Sequence, residues 1–102
     1  MIDIFDDTLE NHNAELVDMT IRNLSWKYDY SSTGDGVNKH WHIFCGHTPE
    51  ECTENGYETL LLIWEAVQRK SKVKLEMERM YLNAHTHGIE PHAHVDDGDY
   101  TI

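Results

Sequence analysis

From Val73 to Ala84 the residues alternate between two faces, and no other stretch constrains the fold as much. Val73, Leu75 and Met77 take one parity and Lys74, Glu76 and Glu78 the other, the pattern of a strand with one buried face. Continuing the first parity brings Arg79, Tyr81 and Asn83. Continuing the second brings Met80 and Leu82. An apolar face thus turns polar while its opposite turns apolar, so the end of the strand is expected to be covered on both sides. A barrel lining that opens into a site has this pattern. So does a strand crossing from core to surface, and parity leaves both open.

The remaining elements fit around that strand. Met1 to Asp6 alternates and reads as a short opening strand. Asp7 or Thr8 can cap a helix running from about Thr8 to Asn23, with Leu9, Leu16, Met19 and Thr20 near one face. Leu24 to Tyr30 alternates as a strand, Ser31 to Gly36 is a loop, and His40 to Phe44 is a second β segment. His42 reads as a surface or core histidine ahead of a metal ligand. Thr48-Pro49-Glu50-Glu51 is a helix start, with a Thr cap, Pro at the first position and Glu at the third. Tyr57, Leu60, Leu61, Trp64 and Val67 then recur at helical spacing through Arg69 or Lys70, a core stripe and not a cofactor box. His85 to Pro91 is a turn, and His92 to Ile102 a last strand or strand pair. With no repeats and no linker, residues 1–102 read as one domain.

Composition narrows the function. A formal charge of −11 argues against a phosphate backbone as partner, so no nucleic acid is expected. Cys45 and Cys52 are not spaced for zinc and read as free thiols of a reducing, cytoplasmic setting. The longest apolar run, Leu60 to Trp64, is far too short to span a bilayer, and the opening residues lack the pattern of a signal peptide. Eight histidines are a high count, and four of them, with three aspartates, fall between Arg79 and Ile102.

If His94-Val95-Asp96 lies on a strand, His94 and Asp96 share a face. An imidazole beside a carboxylate makes two of the three protein ligands of a 2-His-1-carboxylate iron site. Two other registers stay open. His92-Ala93-His94, with Asp97 or Asp99 nearby, is a cupin-like pair, although Gly88 sits only three residues before His92 and no Glu follows. His85, His87, His92 and His94 can also form an adventitious zinc or nickel cluster.

Arg79, Tyr81, Asn83, Gly88, His94, Asp96, Asp97 and Thr101 occur in the order Arg-x-Tyr-x-Asn, Gly-containing turn, His-x-Asp-Asp, Thr-bearing strand. In this the chain resembles the Fe(II)/2-oxoglutarate-dependent oxygenases, in particular their prolyl-4-hydroxylase-like branch. The resemblance covers the N-terminal portion of that family's domain. It implies an α+β fold, with N-terminal helices and the first strands of a double-stranded β-helix (jelly-roll) barrel, truncated within the β pattern at Thr101-Ile102. It implies Fe(II) held by His94 and Asp96, and 2-oxoglutarate contacted by Tyr81, with Asn83 and Arg79 lining the same pocket. The family's distal His and its 2-oxoglutarate-anchoring basic residue have no counterpart in these 102 residues. The substrate is a small molecule or a peptidyl group. A barrel of this kind needs about eight strands to close, so a shorter set exposes a sheet edge and is expected to form a homo-oligomer through it. The competing reading is a non-catalytic, small acidic binding module whose histidines, His92 and His94 above all, form a structural or adventitious metal site.

Overall fold

The structure is a computed structural model and describes residues 4–31, 39–86 and 98–102. The first residues of the expected opening strand lie outside that set, as do most of the Ser31–Gly36 loop and residues 87–97, with His92, His94 and Asp96 among them. Helix α1 spans Asn11–Arg22, strand β1 Lys27–Tyr30, β2 His40–Gly46, and helix α2 Pro49–Glu54. A 3-10 turn at Glu58–Leu60 leads into α3, Leu61–Lys70, and strand β3 is Met80–Ala84. The molecule is therefore α+β, with helices on a three-stranded antiparallel sheet of order β1-β2-β3. Among the described residues no helix is long and apolar enough to cross a membrane.

The front of the chain begins later than its sequence pattern suggests. Residues 4–6 form no strand. Asp7 adopts a φ of 50°, a left-handed conformation that Asp tolerates better than most residues. The Thr8 hydroxyl donates backwards to the Phe5 carbonyl at 3.1 Å instead of capping forward, so the helix starts only after Glu10. The buried face of α1 is also rotated from the expected one. Val17 is buried and Ile21 packs beside it, whereas Leu16 and Met19 are exposed. The Trp26 indole donates to the Ile21 carbonyl at 3.1 Å, so the first aromatic of the next segment closes the end of the helix.

Helix α2 starts where its cap signal places it. The Thr48 hydroxyl accepts from the Glu51 amide at 3.0 Å, and Pro49 takes the first position, where no amide hydrogen is needed. Gly56 follows with a φ of 90°. The Asn55 side-chain carboxamide donates from Nδ2 to the Cys45 carbonyl at 2.9 Å and ties this turn to β2. The single helix expected from Tyr57 to Lys70 is split: its first turn is 3-10, with Leu60 fully buried at the joint.

Strand β3 is much shorter than the alternation from Val73 to Ala84 suggests. Its only described neighbour, β2, turns away into α2 after Gly46, so residues 73–79 have no ladder to join. They pass beside α3 without regular structure, with bends at Val73 and Glu78. There the Gln68 carboxamide donates to the Leu75 carbonyl at 2.8 Å and accepts from the Leu75 amide at 3.3 Å, standing in for a neighbouring strand. Residues 98–102 likewise form no strand.

The core lies between the helices and one sheet face. Ile43 and Cys45 of β2 meet Val17, Cys52 and Leu60, with Met77, Met80 and Leu82 packed around them. Gly46 sits at the tightest point: a Cβ there would lie 2.9 Å from the Cys52 amide nitrogen and 3.1 Å from its sulfur. Gly46→Ala is expected to destabilise the fold by about 1–3 kcal/mol, read from urea denaturation, the usual cost of overpacking a filled core.

Both thiols are free and fully buried. Burial pushes the Cys45 thiol from 9.0 up to about 11, and neighbouring Cys52 adds to the shift. Burial and then Glu51 raise Cys52, against a backbone hydrogen bond that lowers it. The unfolded chain therefore releases these protons first as pH rises. Their contribution to stability is complete below pH 9 and is lost as pH climbs towards about 11. The urea midpoint is expected to be lower at about pH 10.5 than at about pH 8, and Cys45→Ala to shrink that difference.

Candidate functional site

The sheet face turned away from the helices is polar and aromatic. In β2 the side chains of Ile43 and Cys45 point to the core, so His40, His42 and Phe44 point the other way. The antiparallel register pairs His42 with Asn83 and Phe44 with Tyr81, and paired residues share a face. Tyr30 of β1 pairs with His40 on the other side of β2. His85 follows β3 directly. Tyr30, His40, His42, Tyr81, Asn83 and His85 thus form one surface from three segments far apart in the chain.

The contacts on this surface are close. The Tyr30 ring stacks on His42, with centroids 3.9 Å apart and planes within 8°, and meets His40 at 5.2 Å edge-on. His42 Nδ1 lies 2.7 Å from Asn83 Oδ1. A carboxamide oxygen only accepts, so Nδ1 carries the hydrogen. The Tyr81 ring lies 5.4 Å from that of His42.

The sequence-derived site residues divide in two. Tyr81 and Asn83 occupy alternate positions of β3 on this face, as their parity suggests, while Met80 and Leu82 turn to the core. Arg79 precedes the strand. Its guanidinium lies 5.9 Å from the centre of the Tyr81 ring and 3.6 Å from the Glu78 carboxylate. Arg79 and Tyr81 also border a cavity of about 940 Å³ between α3, residues 74–82 and residues 98–102; Asn83 and the histidines do not. Lys74 and Arg79 are the cations at its walls, facing Glu76, Glu78 and Asp99. His94 and Asp96 lie outside the described residues. Among the described residues no group of three or more His, Cys, Asp or Glu is placed to hold a metal ion.

Sequence reasoning gave His40 no role and treated His42 as a structural histidine. The available signal was His40-Trp-His42 itself, two imidazoles on one strand face. What completes the surface is the pairing of β2 with β3, a long-range register that no local pattern contains. Asn83→Ala removes the acceptor that fixes the His42 tautomer. The imidazole ¹⁵N shifts of His42 are expected to move from a pure Nδ1–H form to a mixture of tautomers, with stability lowered by about 0.5–1.5 kcal/mol. Compared with protein-family models, with curated proteins and with solved structures, the chain matches none.

Proposed function

We propose that this chain supplies the 2-oxoglutarate-facing part of an Fe(II)- and 2-oxoglutarate-dependent hydroxylase. In this reading the three-stranded sheet belongs to a double-stranded β-helix, and His94 and Asp96 are two of the iron's protein ligands. The observation that carries the reading is the placement of Tyr81 and Asn83. They stand on one face of β3, in the strand that leads into the segment bearing His94 and Asp96. The donor chemistry fits the ion, since one imidazole nitrogen and one carboxylate oxygen suit Fe(II) and leave positions open for a chelating co-substrate. Iron bound there would supply the O2-dependent chemistry, one oxygen atom entering succinate as 2-oxoglutarate loses CO2 and the other entering a substrate C–H bond as a hydroxyl.

The chain's own residues bind and orient. The Tyr81 phenol donates a hydrogen bond to 2-oxoglutarate, and Arg79, at the wall of the same cavity, offers it a positive charge. The Asn83 carboxamide spends its oxygen on His42 and stands beside the cavity's lining without bordering it, so its part is to hold the His42 ring next to Tyr81. The acidic groups around the cavity keep a dianion from settling there on protein contacts alone, so co-substrate binding depends on the metal. The substrate is a small molecule or a peptidyl group. β1 and β3 are the two edges of the described sheet, and a second copy pairing along one of them accounts for how the edge is covered.

Asp96 discriminates this reading from the cupin-like pair and from the non-catalytic acidic module. Anaerobic Fe(II) binding by the full chain is expected to fall at least about tenfold in Asp96→Ala and to change by less than about twofold in His92→Ala. Equal losses, or none, count against the oxygenase reading. Tyr81→Phe is expected to leave Fe(II) binding unchanged and to weaken 2-oxoglutarate binding by about three- to tenfold, the loss of one hydrogen bond.

A further inference from the structure

His40 is the least comfortable residue of the described structure. It is only 1% exposed, and neither of its ring nitrogens has a hydrogen-bond partner among the described residues. A buried polar group left in this state costs about 1–3 kcal/mol, so its retention beside a second imidazole calls for a partner. Tyr30 covers one side of the His40 ring, edge-on at 5.2 Å. His85 lies on another side, its ring centre 4.5 Å away and tilted by 36°. His85 is exposed.

We propose that His40 and His85 form a binding site for a divalent first-row transition-metal ion, made of residues other than His94 and Asp96. The spacing suits it. With metal–nitrogen bonds of about 2.0–2.1 Å, each imidazole centre stands about 3.2 Å from the ion, and two imidazoles at right angles have centres about 4.5 Å apart. The observed 4.5 Å between ring centres matches that separation, and both His40 nitrogens lack a hydrogen-bond partner among the described residues. A tetrahedral pair requires about 5.2 Å, a displacement that the exposed His85 side chain can make. Neutral imidazole nitrogen suits zinc, copper, nickel and iron alike, which sets the ligand class without selecting one member.

The surroundings favour a cation. The chain carries a formal charge of −11, whose field attracts cations. His42 stands 6.4 Å from His40, its Nδ1 hydrogen committed to Asn83. Among the described residues no third His, Cys, Asp or Glu joins His40 and His85, which leaves the ion's other positions to the solvent side, where His85 is exposed. Two protein ligands make this a site of modest affinity that exchanges its ion readily. The ion gives one orphaned His40 nitrogen its partner and pins the end of β3 to the start of β2.

The test uses Ni²⁺ with the full-length chain carrying His87→Asn, His92→Asn, His94→Asn and Asp96→Ala, so that the candidate iron pair and its neighbours are absent. The outcome then stands apart from the iron reading. Calorimetry is expected to show one Ni²⁺ bound per chain, and paramagnetic broadening to erase the imidazole ¹⁵N signals of His40. Adding His85→Ala, a change at an exposed side chain, is expected to weaken binding at least about tenfold and to restore those signals. The proposal is overturned by absence of Ni²⁺ binding in this background, by equal affinity after His85→Ala, or by His40 signals that stay sharp when Ni²⁺ binds.

Discussion

Strand β2 is buried on one face, contacted on the other and paired along both edges, and the rest of the structure takes its position from it. Ile43 and Cys45 supply the sheet's buried contribution to the core, where Cys52 and Leu60 close over them. On its other face, His40 and His42 anchor the polar surface. The two faces are linked by the strand's geometry, since a slip of one residue would send the histidines into the core and Ile43 into solvent. The Gly46 turn sets where the strand stops, because α2 comes too close there for any side chain. A single short strand thereby fixes the helices, the site surface and the length of β3.

What was legible in the sequence was whatever depends on neighbours a few residues apart. Thr48-Pro49 announced a helix because a cap is a contact across three residues. Tyr81 and Asn83 were placed on one face because alternation is a property of any extended chain. The buried face of α1 was misread because Leu16 and Met19 are apolar enough to suggest a stripe, while only tertiary contact selects Val17 and Ile21. Residues 73–79 alternate as well as any strand, yet strand formation requires a partner, and β2 has already turned away. The union of His42 with Asn83, 41 residues apart, could not be read from local pattern.

The charge distribution separates the two sides of the sheet. Among the described residues the ionisable groups of the buried core cluster are the Cys45 and Cys52 thiols, which burial keeps protonated. On the far face imidazoles, two phenols and a carboxamide are gathered around His42. The apolar packing and the polar cluster thus lie on opposite faces of one strand.

The Gln68 carboxamide grips both backbone groups of Leu75, and this makes one position on the outside of a helix responsible for where a distant stretch of main chain lies. Glutamate has nearly the same shape but, when ionised, can only accept, so it would keep the Leu75 amide and abandon its carbonyl. Lysine would do the reverse. Of the side chains long enough to reach, only glutamine both gives and receives in one planar group. A site that looks like an interchangeable surface residue is therefore as demanding of its amino acid as any in the core, and the route from α3 to β3 is spelled in the helix, not in the segment that follows it.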